Sequence, residues 1–172
     1  MKRVVVISLL LFCMVLPASL MARDKKPNVD MSNMNRIFLG WVDLDPYNFA
    51  ELGYSKAEWA DVIGNANATF QQKCQSKYLA GRTIALAKDK GDENAAGNDL
   101  YIKFSDAAFG GDYRLRVSVH FIDPKTNSEI ASIPLEKYTG RRCGLVSCLN
   151  KELEEVGRKL QLDVTGDTKK KK

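Results

Sequence analysis

The sequence predicts an α+β fold: a two-layer sandwich in which a mixed β-sheet of about four to five strands carries two main helices packed on one face. Three observations predict it. Residues 37–42 form a continuous apolar run, which suits a strand covered on both sides. Apolar residues recur at helical spacing in two well-separated stretches. Between those stretches apolar and polar residues alternate, the pattern of half-buried strands.

The first strand is Ile37-Phe38-Leu39-Gly40-Trp41-Val42, and its lack of alternation predicts a central position in the sheet. Pro46 ends its pairing. Ser55-Lys56-Ala57-Glu58 has the spacing of a capping box, in which hydroxyl and carboxylate satisfy the free amides of a first helical turn. Trp59, Val62, Ile63, Ala66, Phe70, Cys74 and Tyr78 then share one face, so a helix is predicted from Lys56 to Leu79, ending near Gly81. Arg82 to Ala87 can form a short strand, and "AKDKGDENAAGND" reads as a flexible polar connector.

Leu100, Ile102 and Phe104 alternate with Tyr101, Lys103 and Ser105, which predicts a half-exposed strand followed by a loop from Ala107 to Asp112. Tyr113, Leu115, Val117, Val119 and Phe121 then point one way; Arg114, Arg116, Ser118 and His120 point the other. The turn "DPKTNS" returns the chain through Glu129 to Leu135, completing a hairpin. From Ser147 to Leu160, Leu149, Leu153, Val156 and Leu160 make the apolar stripe of a second helix. Leu162 to Val164 can add a last short strand.

The domain predicted by this order spans residues 36–165. Before it, Lys2 and Arg3 lead an apolar run that ends near Pro17 and small residues, the layout of a secretory signal peptide at 1–22. An uncleaved anchor is the alternative, opposed by Pro17; lipidation at Cys13 is a third option, opposed by the bulky Phe12 before it. Residues 23–35 read as a flexible tether, and 166–172 as a disordered lysine-rich tail. The formal charge of +5 belongs to these ends: of 26 basic residues, setting aside Lys2, Arg3 and Lys169 to Lys172 leaves 20 against 21 acidic ones. A near-neutral body argues against a nucleic-acid partner, and signal removal argues against stable membrane insertion.

The strands "RIFLGWVDL" and "DLYIKF" and the hairpin "YRLRVSVHFIDPKTNSEIASIPL" resemble exported Gram-negative envelope domains, the group of the Tol propeller protein's amino-terminal domain and the curli-secretion lipoproteins. That resemblance implies an adaptor or assembly role with a protein partner in the envelope and no catalytic residues. It leaves the oligomeric state open.

The residues themselves offer little standard chemistry. His120 is the single histidine and falls on a polar strand face, where a solvated or helix-rim role is expected; nucleophilic catalysis also needs a base with an orienting partner. Asp43 and Asp45 stand at the end of the first strand, where α/β sheets commonly hold ligands, with Trp41 and Tyr47 beside them. These four, Trp41, Asp43, Asp45 and Tyr47, are the candidate ligand-binding set; turn formation at "DLDPYNF" is the competing account.

Signal removal leaves Cys74, Cys143 and Cys148. Three thiols and one histidine make a poor zinc set, so neither a metal nor a cofactor is expected. In an oxidising compartment the expectation is a Cys143–Cys148 disulfide. Five helical steps would hold the α-carbons about 8 to 9 Å apart, beyond bridging distance. The bridge must therefore form at a non-helical turn before the second helix. Cys74 is expected to stay a buried free thiol, a link to the second helix being the alternative. The resulting reading is a periplasmic or secreted envelope protein, not an enzyme, that acts as an adaptor or protein-binding domain. A small-ligand or glycan binder is the alternative, and a carboxylate-dependent hydrolase a distant second.

Overall fold

The computed structural model describes residues 32–44, 49–138 and 143–165. The predicted signal peptide, most of the tether, Arg141, Arg142 and the lysine tail lie outside the described residues. Five strands, β1 (Arg36–Leu39), β2 (Thr83–Leu86), β3 (Leu100–Phe109), β4 (Arg114–Asp123) and β5 (Ser128–Tyr138), form one open sheet in the order β2-β1-β3-β4-β5. β1 runs parallel to both β2 and β3, and β4 runs antiparallel to both β3 and β5. The sheet is thus mixed, with β1 inside it, as the unbroken apolar run predicts.

Two helices, α1 (Lys56–Lys73) and α2 (Leu145–Thr165), pack on one face. The capping box is present: Ser55 Oγ accepts the Glu58 amide, and Glu58 Oε2 accepts the Ser55 amide at 2.8 Å. After α1 the helix widens into a π-helical turn at Cys74–Tyr78, closed by the Leu79 amide on the Cys74 carbonyl at 2.8 Å. That turn puts the Tyr78 ring against Gly157 of α2; a methyl at 157 would sit 2.6 Å from Tyr78 Cε2, so only glycine allows the approach.

The main core lies between sheet and helices, where Ile37, Leu39, Leu100, Ile102, Val119 and Phe121 meet Phe70, Leu149, Leu153 and Val156. A smaller cluster of Phe38, Ala87, Ala95 and Tyr101 occupies the opposite face. Ala95 belongs to the 88–99 connector, which is therefore not a loose linker. Asp89, Asp92 and Asn94 accept nearby backbone amides, and it folds over one end of the sheet.

Three elements differ from the sequence expectation, each for a physical reason. β3 continues to Phe109 through residues expected as loop. A bulge between Ser105 and Ala108, with Asp106 at φ 52°, inserts one residue, so the inward set changes from Leu100, Ile102 and Phe104 to Ala107 and Phe109. Tyr113 is a turn residue at φ 59° rather than the first inward residue of β4. Residues 162–164 are helical, not a strand, because Val164 extends the stripe of Leu153, Val156 and Leu160 and is fully buried.

Candidate functional site

Just past β1 the Gly40 amide donates to the Ile102 carbonyl at 2.8 Å, and a side chain at 40 would stand 2.9 Å from that oxygen. Val42 turns toward the helices. Asn67 of α1, itself buried, holds it there: Oδ1 accepts the Val42 amide at 2.8 Å, while Nδ2 donates to the Val42 and Ile63 carbonyls at 2.9 and 3.1 Å. Gln71, one turn on, donates to the Ala87 carbonyl at 3.0 Å and anchors the end of β2. With Val42 fixed inward, Trp41 and Asp43 are directed to the helix-free face.

There they border a groove of about 210 Å³ between the sheet and the 88–99 connector. Two ion pairs tie its walls together, Lys103 with Glu93 at 2.7 Å and Lys90 with Asp43 at 3.7 Å. Tyr101 contributes to the floor; burial first, then the nearby Glu93 and Asp92 charges, push its phenol up to about 12, so the hydroxyl keeps its proton. Of the four predicted ligand-binding residues, Trp41 and Asp43 line this groove, and Asp45 and Tyr47 lie outside the described residues.

The far wall of the groove holds Ser105 and Asp106 at the β3 bulge. Ser105 Oγ stands 2.8 Å from His120 Nε2 and 2.8 Å from Asp106 Oδ2, and His120 Nδ1 stands 2.6 Å from Glu129 Oε2. His120 is therefore partnered at both ring nitrogens and only 22% exposed, not the solvated residue expected from its polar strand face. A second bulge, in which Ile122 pairs Glu129 directly after Phe121 pairs Ala131, turns Glu129 toward His120. Pairing register across strands is not visible in one sequence, so this orienting partner was out of its reach. Asn67 was different: it sits between Ile63 and Phe70 on the apolar stripe of α1, and a polar residue there already signals a buried hydrogen-bonding role.

Cys143 and Cys148 are joined, with α-carbons 5.6 Å apart. α2 begins between them and the Cys148 amide donates to the Gly144 carbonyl, so the bridge clasps the helix start to the turn before it, as geometry required. Cys74 is free and fully buried, and desolvation pushes its thiol up to about 12. Among the described residues no three His, Cys, Asp or Glu side chains gather as a metal site. No described helix is long and apolar enough to cross a membrane.

No protein-family model matches the chain, and no curated protein matches it. Among solved structures it is similar to a PelC dodecamer variant from Paraburkholderia phytofirmans, at TM-score 0.47 and 13% identity over 77% of this chain and 92% of that one. A second PelC dodecamer from the same organism gives TM-score 0.43 and 15% identity over 77% and 90%. A neuraminyllactose-binding hemagglutinin homolog from Helicobacter pylori gives TM-score 0.40 and 12% identity over 83% and 89%. The three are not the Tol propeller or curli-secretion proteins of the sequence resemblance, and likenesses at this level fix neither family nor function.

Proposed function

We propose that this protein is an exported cell-envelope binding domain whose groove at the end of β1 seats a small hydroxylated ligand such as a sugar ring. The observation that carries the reading is the groove itself: an indole and a protonated phenol beside carboxylates and lysines, held in place by Asn67 behind Val42. Aromatic faces cover the apolar side of a sugar while carboxylates and ammonium groups bind its hydroxyls. Its volume lies below the ~300–1,000 Å³ of drug-sized sites, which fits one small ring. Export is supported by the signal-like amino terminus and by the disulfide, which oxidising compartments favour.

The test is titration with a panel of neutral and charged sugars, followed by tryptophan fluorescence and calorimetry. Trp59 is buried in the core, so the ligand-dependent signal is expected to vanish in Trp41→Phe and persist in Trp59→Phe. A panel without any binder in either measurement would overturn the reading. A protein-binding adaptor is a second reading, favoured by β5, an eleven-residue strand at the edge of the sheet. Crosslinking in intact envelopes would recover a specific partner through β5 if that reading holds.

A further inference from the structure

Ser105, His120 and Glu129 come from three adjacent strands and stand in sequence along the helix-free face. Each link has the reach that an activated nucleophile requires: hydroxyl to imidazole at 2.8 Å, and imidazole to carboxylate at 2.6 Å. One bulge completes the arrangement and a second flanks it. The one after Ser105 places Asp106 at φ 52°, and the one at Ile130 brings Glu129 to His120. Ser105 is one of the residues that line the groove, which brings a ligand seated there beside it.

We infer that Ser105 is a nucleophile, His120 its general base and Glu129 the positioning residue of an acyl-transfer site that cleaves small carboxylic esters carried by a hydroxylated ligand. The substrate class rests on the groove reading above; the reactivity of Ser105 does not. With Glu129 accepting from Nδ1, the neutral imidazole presents a lone pair at Nε2. Ser105 has one proton and two acceptors, Nε2 and Asp106 Oδ2, and turning it from Asp106 to Nε2 arms the oxygen. Oγ then bonds to the acyl carbon as its proton passes to Nε2. The ester C–O bond breaks, and the alcohol leaves with that proton. Water, deprotonated by Nε2, attacks the acyl-serine, releasing the carboxylic acid and restoring the hydroxyl. Glu129 is half exposed and Asp106 competes for the serine proton, so turnover is slow compared with sites whose orienting carboxylate is buried.

The experiment is labelling of the full chain with a fluorophosphonate probe, mapping of the labelled peptide by mass spectrometry, and hydrolysis of p-nitrophenyl acetate. Ser105 carries the label in the expected result. Ser105→Ala abolishes labelling with an unchanged circular dichroism spectrum, His120→Gln slows it at least tenfold, and Glu129→Gln lowers kcat with little change in KM. An unlabelled wild-type chain, a label on another residue, or equal labelling of His120→Gln overturns the inference. The probe and the acetate need no sugar affinity. Sugar binding without Ser105 labelling therefore removes only the acyl-transfer site, whereas labelling without sugar binding removes only the proposed ligand.

Discussion

On the face of β4 sealed by the two helices, Leu115, Val117, Val119 and Phe121 are at most 3% exposed; on the opposite face of the same strand Arg114 and Arg116 stand in solvent and His120 joins a polar chain. Burial of the first set removes apolar surface from water and supplies stability. The second set leaves exchangeable hydrogen bonds beside a groove. One alternating strand thus divides the molecule into a side that holds the fold and a side with free chemistry, and substitutions should separate the two.

The largest effect is expected on the sealed side. Phe121→Ala should cost about 4 kcal/mol in urea denaturation, the range for a fully buried phenylalanine whose cavity cannot collapse. Asn67→Ala should cost about 3 kcal/mol, because it strands the buried Val42 amide and carbonyl. It crosses the divide: releasing Val42 should also alter Trp41 fluorescence, and an unchanged Trp41 signal would show that the groove is not set from behind. Reducing the Cys143–Cys148 bridge should lower stability by about 2 kcal/mol, the entropy of closing a short loop, without changing Trp41 emission.

Arg116→Ala on the open side should change stability by less than about 0.5 kcal/mol, since its ion pairs with Asp112 and Glu136 are half exposed. Its visible consequence is a titration. The Arg116 hydrogen bond is the main cause holding the Asp112 carboxyl below its ordinary value, so removing it should move that titration upward in NMR. A depressed native value means that the contribution of Asp112 is present above the ordinary carboxylate range and lost as pH falls through the native value.

The sealed side was legible because burial writes period into sequence. The capping box at Ser55, the stripe from Trp59 to Tyr78 and the inward set of β4 all followed from spacing. The second helix was found but cut short, since Asp163 and Thr165 diluted the stripe that Val164 continues. The disulfide was legible from compartment and helical geometry together. On the open side, Trp41 and Asp43 could be placed by their position at the end of a strand. The Ser105–His120–Glu129 chain could not, because it depends on the pairing register of three strands and on a bulge at Ile130 that shifts alternation by one residue. A bulge reads locally as the end of a strand, which is how Ala107 to Phe109 came to look like loop.

The position of β1 also bears on how the chain acquires its structure in time. β3, β4 and β5 meet through short turns and can form as soon as they exist. β1 pairs instead with Thr83–Leu86 and with Leu100–Ile102, both far along the chain, and its own stretch is almost wholly apolar. During synthesis from the amino end, β1 is thus the first of the five described strands made, and it waits for Thr83–Leu86 to emerge before it has any partner. For that interval it presents two unsatisfied backbone edges and Ile37, Phe38 and Leu39 to its surroundings. It is the segment for which a holding chaperone, or a misassembled neighbour, would compete.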